Sequence, residues 1–177
     1  MAKDNIILVG FMGTGKTAVG KRLASVLNKR FWDADKEIEK LTGMTLMRLY
    51  HKYGQVRFQS EEDLMLRKLL REQNSVIATG GTLVLTQERY EMLSQSGIVI
   101  CLTADPQVIG ERVKRRNNRP LLRKNNLYQD ITNLIREREG LPNRADLVVD
   151  TSHRSFEEIM RIILEYLRTC EQQDNSH

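Results

Sequence analysis

The sequence is poor in cysteine, in proline and in long apolar runs. Its 177 residues include two cysteines and three prolines. Cys101 and Cys170 match no metal-binding or redox spacing, so we expect reduced thiols in a cytoplasmic protein rather than a disulfide framework. No apolar run approaches the roughly 20 residues that cross a bilayer, and no signal-peptide pattern follows Met1. We therefore expect neither a membrane-spanning segment nor a secretory leader.

The excess of positive charge is confined to one part of the chain. The chain has 28 Lys and Arg residues against 23 Asp and Glu, a net charge of +5. Residues 111–144 hold ten basic and four acidic residues, which is more than the whole excess. A basic cluster suits a nucleic acid, and it equally suits a small polyanion such as a nucleoside triphosphate. The length predicts a single domain, residues 1–177, with enough buried surface to fold without disulfides.

Short apolar runs alternate with helical patterns along the chain. The sequence predicts strands over residues 6–9, 31–32, 76–79, 98–102 and 147–149. It predicts helices over residues 16–28, 35–41, 46–53, 60–72, 87–93, 106–116, 130–138 and 156–168. A polar, basic loop is expected over residues 119–126, and a polar tail over residues 171–177. This alternation predicts an α/β fold: a parallel sheet with helices on both faces.

A phosphate-binding motif follows the first predicted strand. Residues 10–17 read GFMGTGKT and fit G-x-x-x-x-G-K-[ST] at every fixed position. The backbone N–H groups of such a loop and the N-terminus of the next helix bind phosphate oxygens. We expect Lys16 to reach the β- and γ-phosphates and the Thr17 hydroxyl to bind Mg²⁺. The motif indicates nucleoside triphosphate binding by Gly13, Thr14, Gly15, Lys16, Thr17 and Ala18. By itself it does not separate a small-molecule kinase from a GTPase, an ATPase or a motor.

Two carboxylates, Asp33 and Asp35, follow the second predicted strand. In an open α/β sheet, ligands bind beyond the carboxyl ends of the strands, so both side chains should face the phosphate loop. One carboxylate can hold Mg²⁺ while the other accepts a hydroxyl proton during phosphoryl transfer. The competing interpretation is that Asp33 caps the following helix.

Two further motifs face the same edge of the predicted sheet. Residues 79–82 read TGGT, and glycines at the end of a strand allow a ligand to approach the backbone or form an ordinary turn. Residues 119–122 read RPLL within the basic loop. An arginine on a lid, which we place at residues 114–126, would neutralise charge in a transition state. The alternative is a solvated basic loop.

These motifs occur in the order and spacing of shikimate kinases, and the sequence resembles that family over residues 6–168. The resemblance implies a five-stranded parallel sheet of the nucleoside-monophosphate-kinase type, with strand order 2-3-1-4-5 and a lid. It implies ATP-dependent, Mg²⁺-requiring phosphorylation of the 3-hydroxyl of shikimate, a step of aromatic amino acid biosynthesis. We further expect a cytoplasmic monomer with no nucleic-acid or membrane partner.

The resemblance also implies a role for each candidate residue. Lys16 and Thr17 serve the nucleotide and the metal, and Asp33 serves the metal. Asp35 holds the acceptor hydroxyls and takes the proton. The remaining positions are Gly80 and Gly81 in the acceptor wall, Arg119 as the lid arginine, Arg112 as the arginine that stacks on adenine, and Arg138 as a second arginine for the acceptor carboxylate.

Three departures from the family pattern fall on the acceptor side. Gln59 replaces the arginine that grips the shikimate carboxylate, Thr82 replaces a third glycine, and residues 138–142 read REGLP without the family's tyrosine. Glutamine donates to a carboxylate without charge, whereas a charge-assisted contact is roughly twice as strong. The neighbouring Arg57 would lie about 100° away on a helix and is a poor substitute.

The departures leave three alternatives open. One is a relative that phosphorylates another small polyol, sugar or hydroxy acid. The second is a nucleotide-binding regulatory protein with weak catalysis, which the retained Asp35 and Arg119 disfavour. The third is a nucleic-acid-binding module, which the position of the basic cluster on the predicted lid disfavours.

Overall fold

A five-stranded parallel sheet forms the centre of the protein. A computed structural model describes residues 4–84, 86–115, 127–136 and 144–174. The strands are β1 (Asn5–Val9), β2 (Arg30–Asp33), β3 (Ser75–Ala78), β4 (Gly97–Thr103) and β5 (Leu147–Asp150). Their order is β2-β3-β1-β4-β5, and every neighbouring pair is parallel. The predicted fold class and strand order are confirmed.

Helices connect the strands and cover the sheet. They are α1 (Lys16–Val26), α2 (Ala34–Thr42), α3 (Leu46–Leu69), α4 (Gln87–Ser96), α5 (Pro106–Lys114), α6 (Leu127–Arg136) and α7 (Phe156–Asp174). Several ends differ from the sequence prediction. Helix α1 ends early because Asn28 adopts a φ of 51°, a left-handed conformation that asparagine tolerates at helix ends. Helix α7 continues to Asp174, where the sequence predicts a polar tail.

Helix α3 contains the break that the sequence predicts at Gly54. The two predicted helices form one element whose axis is interrupted where Gly54 has φ 77° and ψ 179°. Glycine is the residue that adopts this backbone conformation at little cost. The break lets the second part of α3 pack on the sheet through Phe58, Met65 and Leu66. This part of α3 also carries Gln59 and Glu62.

The central strand β1 is buried on both faces. Ile6 and Leu8 pack in one cluster with residues of α1 and α7. Ile7 and Val9 pack in a second cluster on the other face, with residues of α3 and α4. This alternation follows from the two-residue period of a strand, and the continuous apolar run is typical of parallel sheets. Burying each such side chain contributes roughly 1.5–3 kcal/mol, which fixes β1 and the loop that follows it.

Within the described residues, no helix has both the length and the hydropathy that crossing a membrane requires.

The two cysteines differ in environment, and we expect them to differ in reactivity. Cys101 lies in β4 with 1% of its surface exposed, and burial raises the pKa of its thiol to about 11. Cys170 on α7 is half-buried. Because the thiolate is the reactive form, iodoacetamide at pH 8 should modify Cys170 and spare Cys101. Mass spectrometry should show one modified thiol in the native protein and none in Cys170→Ser. Modification of Cys101 before unfolding would contradict this.

Candidate active site

The carboxyl edge of the sheet forms a cleft of about 440 Å³. Its lining comes from the phosphate loop, from the residues that follow β2, β3 and β5, and from α5 and α7. The lining residues include Gly13, Lys16, Thr17, Ala18, Asp33, Asp35, Thr79, Arg112, Thr151 and Phe156. Residues distant in sequence meet there because parallel strands end at the same edge.

The phosphate loop has the geometry that its sequence predicts. Gly13 and Gly15 have φ values of 80° and 101°. Gly15 precedes α1 and has no side chain to cap it, so the first N–H groups of that helix remain directed at the cleft. The Lys16 Nζ donates to the carbonyl oxygens of Gly10 (2.8 Å) and Phe11 (3.1 Å). The lysine ammonium therefore lies along the loop, next to the site of phosphate binding.

Thr17 and Asp33 form a hydroxyl–carboxylate pair beside this loop. The Thr17 Oγ1 donates to Asp33 Oδ2 at 2.7 Å, and Asp33 Oδ1 accepts from the backbone N–H of Lys36 at 3.4 Å. Asp33 therefore caps α2 and also faces the nucleotide side, so the two interpretations of this residue are compatible.

This pair fits a magnesium ion. Both side chains offer oxygen atoms, the ligands that Mg²⁺ prefers. Among the residues that the structure describes, no group of three or more His, Cys, Asp or Glu side chains could hold a metal. Mg²⁺ commonly takes only one or two carboxylates and completes its shell with phosphates and water. Thr17 and Asp33 would therefore hold the ion together with a bound nucleotide.

Two carboxylates meet at the glycine turn that follows β3. A Cβ atom on Gly80 would lie 2.9 Å from Asp35 Oδ1 and 2.9 Å from Glu62 Oε1. A Cβ atom on Gly81 would lie 2.9 Å from the Cα of Met12 in the phosphate loop. Any side chain at either position would displace its neighbour. The turn therefore lies between the phosphate loop and the carboxylates of Asp35 and Glu62, which we call the acidic wall.

Glu62 belongs to this wall, although sequence reasoning gave it no role. Its side chain is buried, with 5% of the residue exposed, and Thr82 Oγ1 donates to its Oε1 at 2.6 Å. Gln59 lies one turn earlier on α3 and is half-buried. Arg57 pairs with Glu61 and its side chain is 63% exposed, so it does not take the place of an arginine at position 59.

Arg112 lies in the cleft, bound to both the phosphate loop and the end of β5. Its guanidinium donates to Gly13 O (3.2 Å), Thr151 Oγ1 (3.0 Å) and Thr151 O (2.6 Å). The Thr151 hydroxyl also lies 3.0 Å from the carbonyl oxygen of Thr14. Sequence reasoning missed Thr151. Its position directly after a buried strand, at the edge where ligands bind, is the signal that could have identified it.

Two predicted site residues, Arg119 and Arg138, lie outside the described residues, as does the predicted lid beyond Arg115. The described residues thus bring together the nucleotide-side candidates, Asp35 and both glycines of the turn.

The strand order, the phosphate loop and the carboxylates Asp33 and Asp35 that line the same cleft place this chain among the P-loop kinases of small molecules. The sequence profile of shikimate kinases matches residues 12–168. The chain therefore belongs to the shikimate kinase family, and the predicted resemblance is confirmed. It is an ATP-dependent kinase that phosphorylates a hydroxyl group of a small molecule.

Individual relatives agree with this assignment. A curated shikimate kinase from Pelotomaculum thermopropionicum is 49% identical over 164 residues, which is 93% of this chain and 95% of the relative. A shikimate kinase from Desulforudis audaxviator is 46% identical, over 93% and 86% of the two chains. Among solved structures, the Acinetobacter baumannii shikimate kinase in complex with shikimate has a TM-score of 0.88 at 35% identity, covering 94% and 93%. A gluconokinase from Sinorhizobium meliloti, at 18% identity and a TM-score of 0.66, shares the fold.

Proposed function

We propose that this enzyme transfers the γ-phosphoryl group of ATP to the 3-hydroxyl of shikimate. The observation that carries the proposal is the meeting of Asp35 and Glu62 at Gly80, beside the phosphate loop. A wall of carboxylates suits a polyhydroxylated acceptor because each carboxylate oxygen accepts hydrogen bonds from hydroxyl groups. The names of the curated relatives and the shikimate bound to the Acinetobacter baumannii enzyme support the same acceptor.

The nucleotide side holds ATP through the phosphate loop. The backbone N–H groups of residues 13–18 and the Lys16 ammonium bind the β- and γ-phosphates. Thr17 and Asp33 would hold Mg²⁺, which would supply positive charge to the same phosphates. Phe156, which is 39% exposed and lines the cleft, and Arg112 contact the nucleobase.

The acceptor side provides a base. Asp35 accepts the hydroxyl proton as the acceptor oxygen forms a bond to the γ-phosphorus. The bond between that phosphorus and the bridging β–γ oxygen breaks, and ADP leaves. Arg119 neutralises charge on the transferring group, and Arg138 binds the acceptor carboxylate.

A neutral polyol or sugar is the alternative acceptor, because Gln59 brings no charge to the acceptor pocket. A neutral polyol or sugar would not need a cation at this position. Steady-state turnover of the wild type across hydroxylated acids and sugars, with shikimate first, separates the two. We expect shikimate to give the highest kcat/KM. Preferred turnover of a neutral sugar would overturn the proposal.

Gln59→Arg should improve the use of shikimate. A hydrogen bond to a charged group contributes on the order of 1.5–3 kcal/mol, so the KM for shikimate should fall roughly 10–150-fold. The KM for ATP should not change. Gln55→Arg, an exposed substitution on the same helix, is the matched control. If the native acceptor is neutral, Gln59→Arg should instead impair the native reaction, since it places an unpaired charge in the pocket.

A further inference from the structure

The carboxylate of Glu62 is held from the glycine turn, by Thr82. Glu62 is buried, and a buried carboxylate is costly unless hydrogen-bond donors surround it. The hydrogen bond from Thr82 Oγ1 to Glu62 Oε1 is 2.6 Å long, in the range of charge-assisted O–H···O⁻ bonds. Such a bond is strong enough to fix the orientation of the carboxylate.

The same oxygen of Glu62 belongs to the acidic wall. Oε1 would lie 2.9 Å from a Cβ on Gly80, where Asp35 Oδ1 also lies. Thr82 follows Gly80 by two residues, so one short turn provides both the surface that Glu62 contacts and the donor that holds it. A shift of this turn would move Glu62 and the wall together.

Two departures from the family pattern meet at this carboxylate. Gln59 precedes Glu62 by three residues in the helical part of α3 beyond Gly54, so the two side chains share one face of the helix. An arginine at position 59 would place a cation beside Glu62. A glycine at position 82 would provide no side-chain donor. This chain has the reverse arrangement, with a neutral residue on the helix and a hydroxyl donor on the turn.

We propose that Thr82 is a positioning residue of the acceptor site. Through the hydrogen bond to Glu62 it orients the acidic wall. This inference rests on the proposed function. It adds to that function a specificity residue that acts through another side chain rather than through the acceptor.

A pair of substitutions at Thr82 separates the hydroxyl from the shape of the side chain. Thr82→Val retains the shape without the donor, and Thr82→Ser retains the donor. We expect Thr82→Val to raise the KM for shikimate about tenfold and to change the KM for ATP less than twofold. Thr82→Ser should remain within about threefold of the wild type in both. Equal rises in the two KM values, or an unchanged KM for shikimate in Thr82→Val, would overturn the inference.

The same measurement in the Gln59→Arg background tests whether a cation beside Glu62 makes the Thr82 hydroxyl dispensable. In that background Thr82→Val should raise the KM for shikimate less than twofold. Thr82→Gly should raise it equally little, and it replaces Thr82→Val in the test if the valine variant does not fold. Equal effects in both backgrounds would show that the two positions act independently and would refute an action of Thr82 through Glu62. Absence of shikimate turnover in the wild type would instead refute the proposed function, and the inference with it.

Discussion

Replacing Lys16 with alanine is expected to lower phosphoryl transfer by on the order of 1,000-fold while the chain remains folded. The Lys16 ammonium lies along the phosphate loop, where negative charge develops during transfer. Lysine provides a preorganised positive charge at this point, and alanine provides none. The hydrogen bonds that are lost join Lys16 to Gly10 and Phe11 within the loop, so the sheet and its two apolar clusters stay intact.

A coupled assay of ADP release measures the loss of activity, and thermal unfolding followed by circular dichroism measures the fold. Lys21→Ala is the matched control, because Lys21 is an exposed lysine about one and a half turns further along α1. It removes the same charge from the same helix without touching the loop, and it should leave turnover within about twofold. Near-normal turnover in folded Lys16→Ala would show that Lys16 has no catalytic role.

The parts of this protein that the sequence predicts are those that depend on local patterns. The apolar run of β1 and the glycines of the phosphate loop specify a buried strand, a turn and a helix start within twenty residues. The break at Gly54 is equally local, because a single glycine decides it. The strand order came from the family resemblance, since local patterns do not determine which strands are neighbours.

The residues that sequence reasoning missed depend on contacts between distant segments. The Thr151 hydroxyl donates to the carbonyl oxygen of Thr14, 137 positions away in sequence. Glu62 lies in the acidic wall only because α3 packs beside the turn that follows β3. A glutamate in a helix carries no signal of such a role, because glutamate is common in helices. Thr151 has only the weaker signal of its position directly after a buried strand.

Helix ends were predicted less well than helix positions, for a related reason. Helix α7 extends to Asp174 although its last turn is polar. Glutamate and glutamine are good helix formers, so a helix whose apolar face packs on the sheet continues through them. Ile159 and Ile163 provide that apolar face and lie in the same cluster as β1.

Asp35→Asn is the second substitution with a large expected effect. Asparagine has nearly the shape of aspartate and can keep its place beside Gly80, but its amide does not accept the hydroxyl proton. We expect kcat to fall at least about 100-fold, the lower end of the loss of a general base. The KM for ATP should change less than about twofold, because the role proposed for Asp35 is toward the acceptor hydroxyl and not toward the nucleotide.

Comparison with Asp33→Asn distinguishes which of the two carboxylates, Asp33 or Asp35, serves the metal and which serves the acceptor. Asp33 accepts the hydrogen bond of Thr17, so its replacement should weaken the binding of Mg²⁺ and ATP, and added Mg²⁺ should partly restore activity. Titration of an ATP analogue, with and without Mg²⁺, measures this separately from turnover. If Asp35→Asn lowered ATP binding as much as it lowered kcat, Asp35 would be a residue that binds the nucleotide and the metal. Asp33 would then become the better candidate for the acceptor, and the assignment of a base to the wall beside Gly80 would be wrong.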